Sequence, residues 1–151
     1  MRRSPMGRAI EGILLRTGRP VLIEPPKNNV KKCERIVLAW NDSVECSRAL
    51  AMTMQCIVGL DEITVLVSKK RKSGVKLLVE YLSWYDVKAN IVMLDDKGKS
   101  IGEAILNVCN EIKADFLIVG GFSHARAREL LFGGVTRHPL EHSNIVTIMA
   151  H

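Results

Sequence analysis

Apolar residues concentrate in five short runs separated by longer amphipathic stretches. Ile36-Val37-Leu38-Ala39 lies within residues 35–40; the others occupy residues 63–67, 89–94, 116–119 and 145–149. Runs of this length, without polar alternation, read as strands buried on both faces. Between them the apolar positions recur at helical spacing. Ala49, Leu50, Met52 and Cys56 predict a helix over residues 44–58 that Gly59 closes. Val75, Leu78, Val79 and Leu82 predict another over 74–85. Ser100-Ile101-Gly102-Glu103 is a capping box. It opens a helix carrying Ile101, Ala104, Ile105, Val108, Cys109 and Ile112. A last short helix is expected over 135–141. Asn41-Asp42-Ser43 follows the first run at once, a turn and N-cap cluster.

Strand and helix thus alternate five times, the signature of an α/β parallel sheet with helices on both faces. Right-handed crossovers favour a doubly wound arrangement. Counting these five strands in chain order, 3-2-1-4-5 is one such order. Its switch point lies between the strands at 35–40 and 116–119, where such sheets take ligands. The loops that meet there are Asn41-Asp42-Ser43 and Gly120-Gly121.

Ahead of this unit, Ile10, Ile13 and Leu14 give a helix over residues 6–16, stopped by Thr17-Gly18 and Pro20. Val21-Leu22-Ile23 is a short strand ended by Pro25-Pro26. Leu15, Val21 and Ile23 match Leu140, Val146 and Ile148 at one constant offset, the size of a domain. Residues 1–28 therefore read as the last helix and strand of a preceding copy, and residues 29–151 as the domain proper. The short strand is expected to add antiparallel beside the strand at 145–149, whose edge is otherwise open. An antiparallel addition ends at the bottom of the sheet, about 14 Å from the start of the next strand. The linker of residues 25–34 spans up to about 35 Å, so it reaches. The pairing works within one chain or between two as a swapped dimer.

The chain has 151 residues, 47% apolar and 25% charged, which suits one domain with a real core. A net charge of +6 favours anions. The positives are dispersed apart from Lys69-Lys70-Arg71-Lys72, and no aromatics interleave with that run, so nucleic acid is not expected as a partner. Cys33, Cys46, Cys56 and Cys109 show no metal-binding spacing. The last three fall on apolar helix positions and are expected to be buried thiols in a reducing, cytoplasmic setting. No apolar run is long enough to span a membrane, and the N-terminus is no signal peptide.

The remaining chemistry sits in residues 116–136. The apolar run ends at Gly120-Gly121, and thirteen residues after Gly120 comes Gly133-Gly134-Val135-Thr136. Glycines at a strand end and at a helix start present backbone N–H groups that suit the two ends of a polyphosphate, although tight turns need glycine as well.

Arg35-Ile-Val-Leu-Ala-Trp-Asn-Asp-Ser43, Ala114-Asp-Phe-Leu-Ile-Val-Gly120 and Phe132-Gly-Gly-Val-Thr-Arg137 resemble the universal stress protein family over residues 34–150, and in particular the second domain of its tandem members. The resemblance implies a five-stranded parallel sheet of order 3-2-1-4-5. It also implies a site for ATP or another adenine nucleotide, with Mg as an accompanying ion. That site would comprise Ala39, Asn41, Asp42, Ser43, Val119, Gly120, Phe122, Ser123, His124, Gly133, Gly134, Val135 and Thr136. Three positions depart from the family's pattern. Ser123 stands for a glycine, Gly134 for a Ser or Thr, and Asn41 for the usual acidic residue. If the backbone at 123 has positive φ, Ser costs roughly 1 kcal/mol there; the lost hydroxyl at 134 costs roughly 0.5–1.5 kcal/mol. Arg126, Arg128 and Arg137 either compensate by charge or are solvated surface.

No catalytic set is recognisable. His124 is a lone loop histidine, and His138 and His142 have no acidic partner at a fixed spacing. The expected function is a cytoplasmic stress-response regulator that binds adenine nucleotide and forms a homodimer through edge strands, with at most slow or partner-dependent ATP hydrolysis. The alternative is an interaction or dimerisation module of the same fold in which the glycines serve only as turns. A third reading, an adenylate-forming type of enzyme, lacks its catalytic residues.

Overall fold

Each of the five apolar runs becomes a strand. The computed structural model describes residues 5–25, 32–68, 74–94, 101–121 and 145–151. In chain order the elements are α1 (Pro5–Thr17), β1 (Val21–Ile23), β2 (Ile36–Trp40), α2 (Val44–Cys56), β3 (Glu62–Ser68), α3 (Val75–Ser83), β4 (Lys88–Leu94), α4 (Ile101–Glu111), β5 (Phe116–Gly120) and β6 (Val146–Ala150). The expected helix over 135–141 lies outside the described residues.

The strands form one sheet in the order β1-β6-β5-β2-β3-β4. The pairs from β6 to β4 are all parallel, which reproduces the 3-2-1-4-5 order. Leu38 at the centre of β2 faces Val65 on one side and Ile118 on the other. β1 adds antiparallel, with Val21 opposite Met149, Leu22 opposite Ile148 and Ile23 opposite Thr147. The outer edge of β6 is therefore covered by the chain's own N-terminal strand.

Side chains alternate across the pleat, so each central strand feeds two cores. Ile36, Leu38 and Trp40 of β2 join Cys46, Ala49 and Leu50 of α2 and Leu78 and Leu82 of α3. Val37, Leu66 and Val119 join Ala104, Ile105 and Cys109 of α4 on the opposite face, together with Leu14 of α1, which is fully buried. Burial on both faces explains why the central runs carry no polar alternation. The edge strand β4 departs from the expectation, with Ile91 and Met93 exposed because no further strand among the described residues covers that edge.

Three expected core positions differ. Cys56 is exposed, not a buried thiol. The buried face of α2 is Cys46, Ala49, Leu50, Thr53 and Met54, and Cys56 rolls off that face at the last residue of the helix. Val79 is 40% exposed, because α3 seats Leu78 and Leu82 and turns its neighbour to the flank. Ile13 is 46% exposed, since only Leu14 of that pair points at the sheet.

At the bottom of the sheet Asp115 ties β2 to β5. Its Oδ1 accepts from Arg35 Nη2 at 2.7 Å. Its Oδ2 accepts from the backbone N–H groups of Arg35 at 3.0 Å and Glu34 at 3.3 Å. Burial pushes this carboxyl up, but the Arg35 hydrogen bonds, the Glu34 N–H and the guanidinium charge together hold it below the ordinary carboxylate range. A folded-state value below the unfolded one contributes stability above the ordinary carboxylate pKa, and that contribution is lost as pH falls through the folded value. Asp115→Ala is expected to cost about 2 kcal/mol at neutral pH, a fall in Tm of roughly 4–8 °C for a chain of this size. Thermal melts of both proteins down the pH scale should show the gap closing below about pH 4. A gap that persists undiminished in acid would assign the loss to something other than the charged carboxylate.

Candidate functional site

The sheet order reverses between β2 and β5. The chain leaves β2 toward β3 on one side and leaves β5 toward β6 on the other, so the tops of these two strands mark the switch point, the place where such sheets take ligands. Ala39 and Val119 are the last residues paired across it.

Above β2 the chain turns through Asn41-Asp42-Ser43 into α2. Asn41 Oδ1 accepts from the Ser43 N–H at 3.2 Å, an Asx turn. Ser43 is extended, at φ −100° and ψ 154°, and its Oγ accepts from the Cys46 N–H at 3.2 Å, a helix N-cap. Asp42 between them takes φ 58°, in the left-handed region. Cys46 Sγ donates to the Ala39 carbonyl at 3.4 Å. Burial pushes that thiol up to about 12, against a smaller opposite pull from the backbone of Asn41 and Gly120. It is a packing group, not a nucleophile.

The glycines owe their identity to close approach. A Cβ on Gly120 would stand 2.8 Å from Cys46 N and 3.1 Å from Ser43 Oγ, because the first turn of α2 rests on the end of β5. A Cβ on Gly121 would stand 2.9 Å from the Ala150 carbonyl oxygen. The Gly121 N–H donates to that same oxygen at 2.7 Å, so it is committed to the sheet.

The structure thus brings Ala39, Asn41, Ser43, Val119 and Gly120 together at the switch point. Asp42 goes elsewhere: its carboxylate occupies the space a Cβ on Gly74 would fill, at the N-terminus of α3. An anion suits that helix end. With Asp42 turned away, the described rim presents an amide, a hydroxyl and the positive end of α2, with Glu45 the one acidic residue of that helix's first turn. The described rim is polar, with the Ser43 and Cys46 N–H groups already engaged by Asn41 Oδ1 and Ser43 Oγ. Phe122, Ser123, His124, Gly133, Gly134, Val135 and Thr136 lie outside the described residues, as do Arg126, Arg128, Arg137, His138 and His142. Among the described residues no three His, Cys, Asp or Glu side chains gather as a metal site.

Sequence reasoning did not find the contact between α2 and Gly120. The Ser43–Cys46 cap spacing marks the helix start but not what that start rests on. It also missed Arg48, whose Nη1 donates to the His151 carbonyl at 2.9 Å and links α2 to the end of β6. No helix of the described residues is long and apolar enough to cross a membrane.

No family model matches the chain, and no curated protein matches it. Among solved structures, the fold is that of a universal stress protein from Archaeoglobus fulgidus, at a TM-score of 0.62 and 19% identity. That match covers 93% of this chain and 52% of the other, so the chain spans about half the length of that protein. A looser likeness, at a TM-score of 0.47 and 13% identity, is to a universal stress protein in complex with cAMP; it covers 76% of this chain and 95% of that one.

Proposed function

We propose that the chain is a universal stress protein domain, a cytoplasmic stress-response regulator that binds an adenine nucleotide at the switch point between β2 and β5. One observation carries this reading. At the switch point of the universal stress protein fold, the N-terminus of α2 rests on Gly120 with Asn41 and Ser43 on the rim, and the Asp42 carboxylate is withdrawn. Asn41 and Ser43 would face the ribose or base. The phosphates, with any Mg they bring, would lie toward Ser123, Gly133, Gly134, Val135 and Thr136. The protein acts as a sensor of nucleotide rather than a catalyst. Residues 1–28 belong to a preceding copy of the domain under the same reading, and residues 29–151 are the binding unit.

A second reading has its own support. Gly120 and Gly121 are both accounted for by backbone packing, and the Gly121 N–H is already engaged. An interaction module without nucleotide needs nothing more from them. Such a module, or a homodimer, would pair through the outer side of β1 or through β4, because β6 is already flanked on both sides.

Mass spectrometry of small molecules released from the denatured, freshly purified protein separates the two readings. Calorimetry with ATP, AMP and cAMP then locates the site. Ser123→Gly is expected to tighten ATP roughly fivefold. Gly133→Val is expected to remove binding by filling the phosphate space. Parent-like titrations from both variants would place the nucleotide elsewhere, and no binding by the parent would favour the interaction module.

A further inference from the structure

A cavity of about 360 Å³ lies between α2 and α3, on the sheet face opposite α4. Its volume is at the small end of the range for ligand sites. Trp40, 8% exposed, lines it from the end of β2. Leu50 of α2 and Leu78 of α3, both buried, give it aliphatic walls. Tyr81 closes one side, its ring packed edge-on against Trp84 and tilted against Tyr85 with centroids 6.1 and 5.2 Å away. Tyr81 Oη donates to Tyr85 Oη at 3.3 Å, so the wall is set before anything binds.

Ser47 also lines the cavity, but its Oγ is engaged, donating to the Ser43 carbonyl at 3.1 Å; two further groups matter for a ligand. The Trp40 Nε1–H is buried and has no hydrogen-bond partner among the described residues. A buried donor left unpaired is costly, and buried indoles ordinarily find an acceptor. The second group is the Asp42 carboxylate, which the left-handed turn at φ 58° carries over Gly74 and into the lining. It is the one charged residue there, and no Lys or Arg of the described lining balances it.

We propose that this cavity is a second binding site, for a small aromatic molecule that carries a hydrogen-bond acceptor and no negative charge. The ring lies between the Leu50 and Leu78 walls, and the acceptor takes the Trp40 N–H. The Asp42 carboxylate repels anions and accepts from an amine or amide donor on the ligand. A nucleotide is thereby excluded, so this site and the β2–β5 switch point stand or fall separately. Asp42 is what divides them, since Asn41 and Ser43 on either side of it stay at the switch point.

The test uses dansylamide, a neutral aromatic sulfonamide, and dansylate, the same ring with a sulfonate anion. Dansylamide should gain emission on binding and shift the Trp40 indole N–H resonance in a ¹H–¹⁵N spectrum, leaving that of Trp84 in place. Trp84 is 73% exposed, and Trp84→Phe assigns the two signals. Dansylate should bind at least about tenfold more weakly, with Asp42→Asn narrowing that difference. Trp40→Phe keeps an aromatic floor without the donor and should weaken dansylamide roughly five- to tenfold. Ala51→Trp fills the cavity and should abolish dansylamide binding while its ATP titration stays that of the parent. If Ala51→Trp does not fold, Leu77→Ala, at a side chain 70% exposed at the mouth, should still weaken dansylamide. A Trp40 resonance unmoved up to the solubility limit of dansylamide overturns the proposal. So does equal binding of dansylate, or binding that survives both Ala51→Trp and Leu77→Ala.

Discussion

Removing residues 1–28 is expected to lower Tm by roughly 10 °C or more and to drive the protein into edge-paired dimers or aggregates visible by light scattering. Two losses add. The first is the antiparallel ladder of Val21–Ile23 along β6, which leaves the backbone groups of Val146–Ala150 open on one side. The second is the burial of Leu14, fully enclosed in the core that α4 shares, with its Cδ1 close to Gly121. Leu14→Ala isolates the second loss and should cost about 3 kcal/mol without opening the edge. That variant should therefore melt earlier yet stay in the parent's oligomeric state. If the deleted protein keeps both its melting temperature and its scattering, α1 and β1 contribute no cover to β6 in solution.

Gly120→Val is expected to destabilise the protein by about 3 kcal/mol in the absence of any ligand. The added Cβ alone would stand 2.8 Å from Cys46 N and 3.2 Å from Cys46 Cα, and neither belongs to a flexible side-chain end. Either α2 lifts off β5 or the end of β5 shifts. Both break the packing of Cys46, which is fully buried against the sheet. Gly12→Ala is the matched control. Its Cβ meets nothing within 4 Å inside α1, so it should stabilise by about 0.5–1 kcal/mol through the unfolded chain. A denaturant melt in which Gly120→Val matches the parent would remove the packing account of this glycine and return the position to ligand binding alone.

The doubly wound class was legible because five apolar runs with helical spacers admit few right-handed parallel sheets, and the resemblance carried by residues 35–43, 114–120 and 132–137 singled out one order among them. The antiparallel placement of β1 followed from chain reach, since Pro25 must lead back to the bottom of the sheet within a short linker. The candidate site was legible only as a location. Asn41-Asp42-Ser43 was readable as a turn and cap, and it is one: Asn41 closes the Asx turn and Ser43 caps α2. Which way each side chain of that turn points was not readable, because a single left-handed residue at Asp42 sends it to α3 while its neighbours stay with β5.

The sequence by itself determined the elements, the doubly wound class and the two-faced burial of the central strands, because these depend on the period of apolar positions and on chain length between them; that β4 lies at an edge with Ile91 and Met93 exposed was decided by the packing. Tertiary structure alone decided what Gly120 and Gly121 make room for, since Cys46 and Ala150 reach them from elements far along the chain. It decided that Cys56 and Val79 face solvent, because helix rotation on a sheet is set by the largest neighbours, here Leu50 and Leu78, and not by the apolar count. It also decided that Trp40, which reads as the last residue of an apolar strand, lines a cavity with its N–H unpaired among the described residues. Periodicity records which side of an element is apolar; what approaches that side, and how closely, is fixed only when the elements pack.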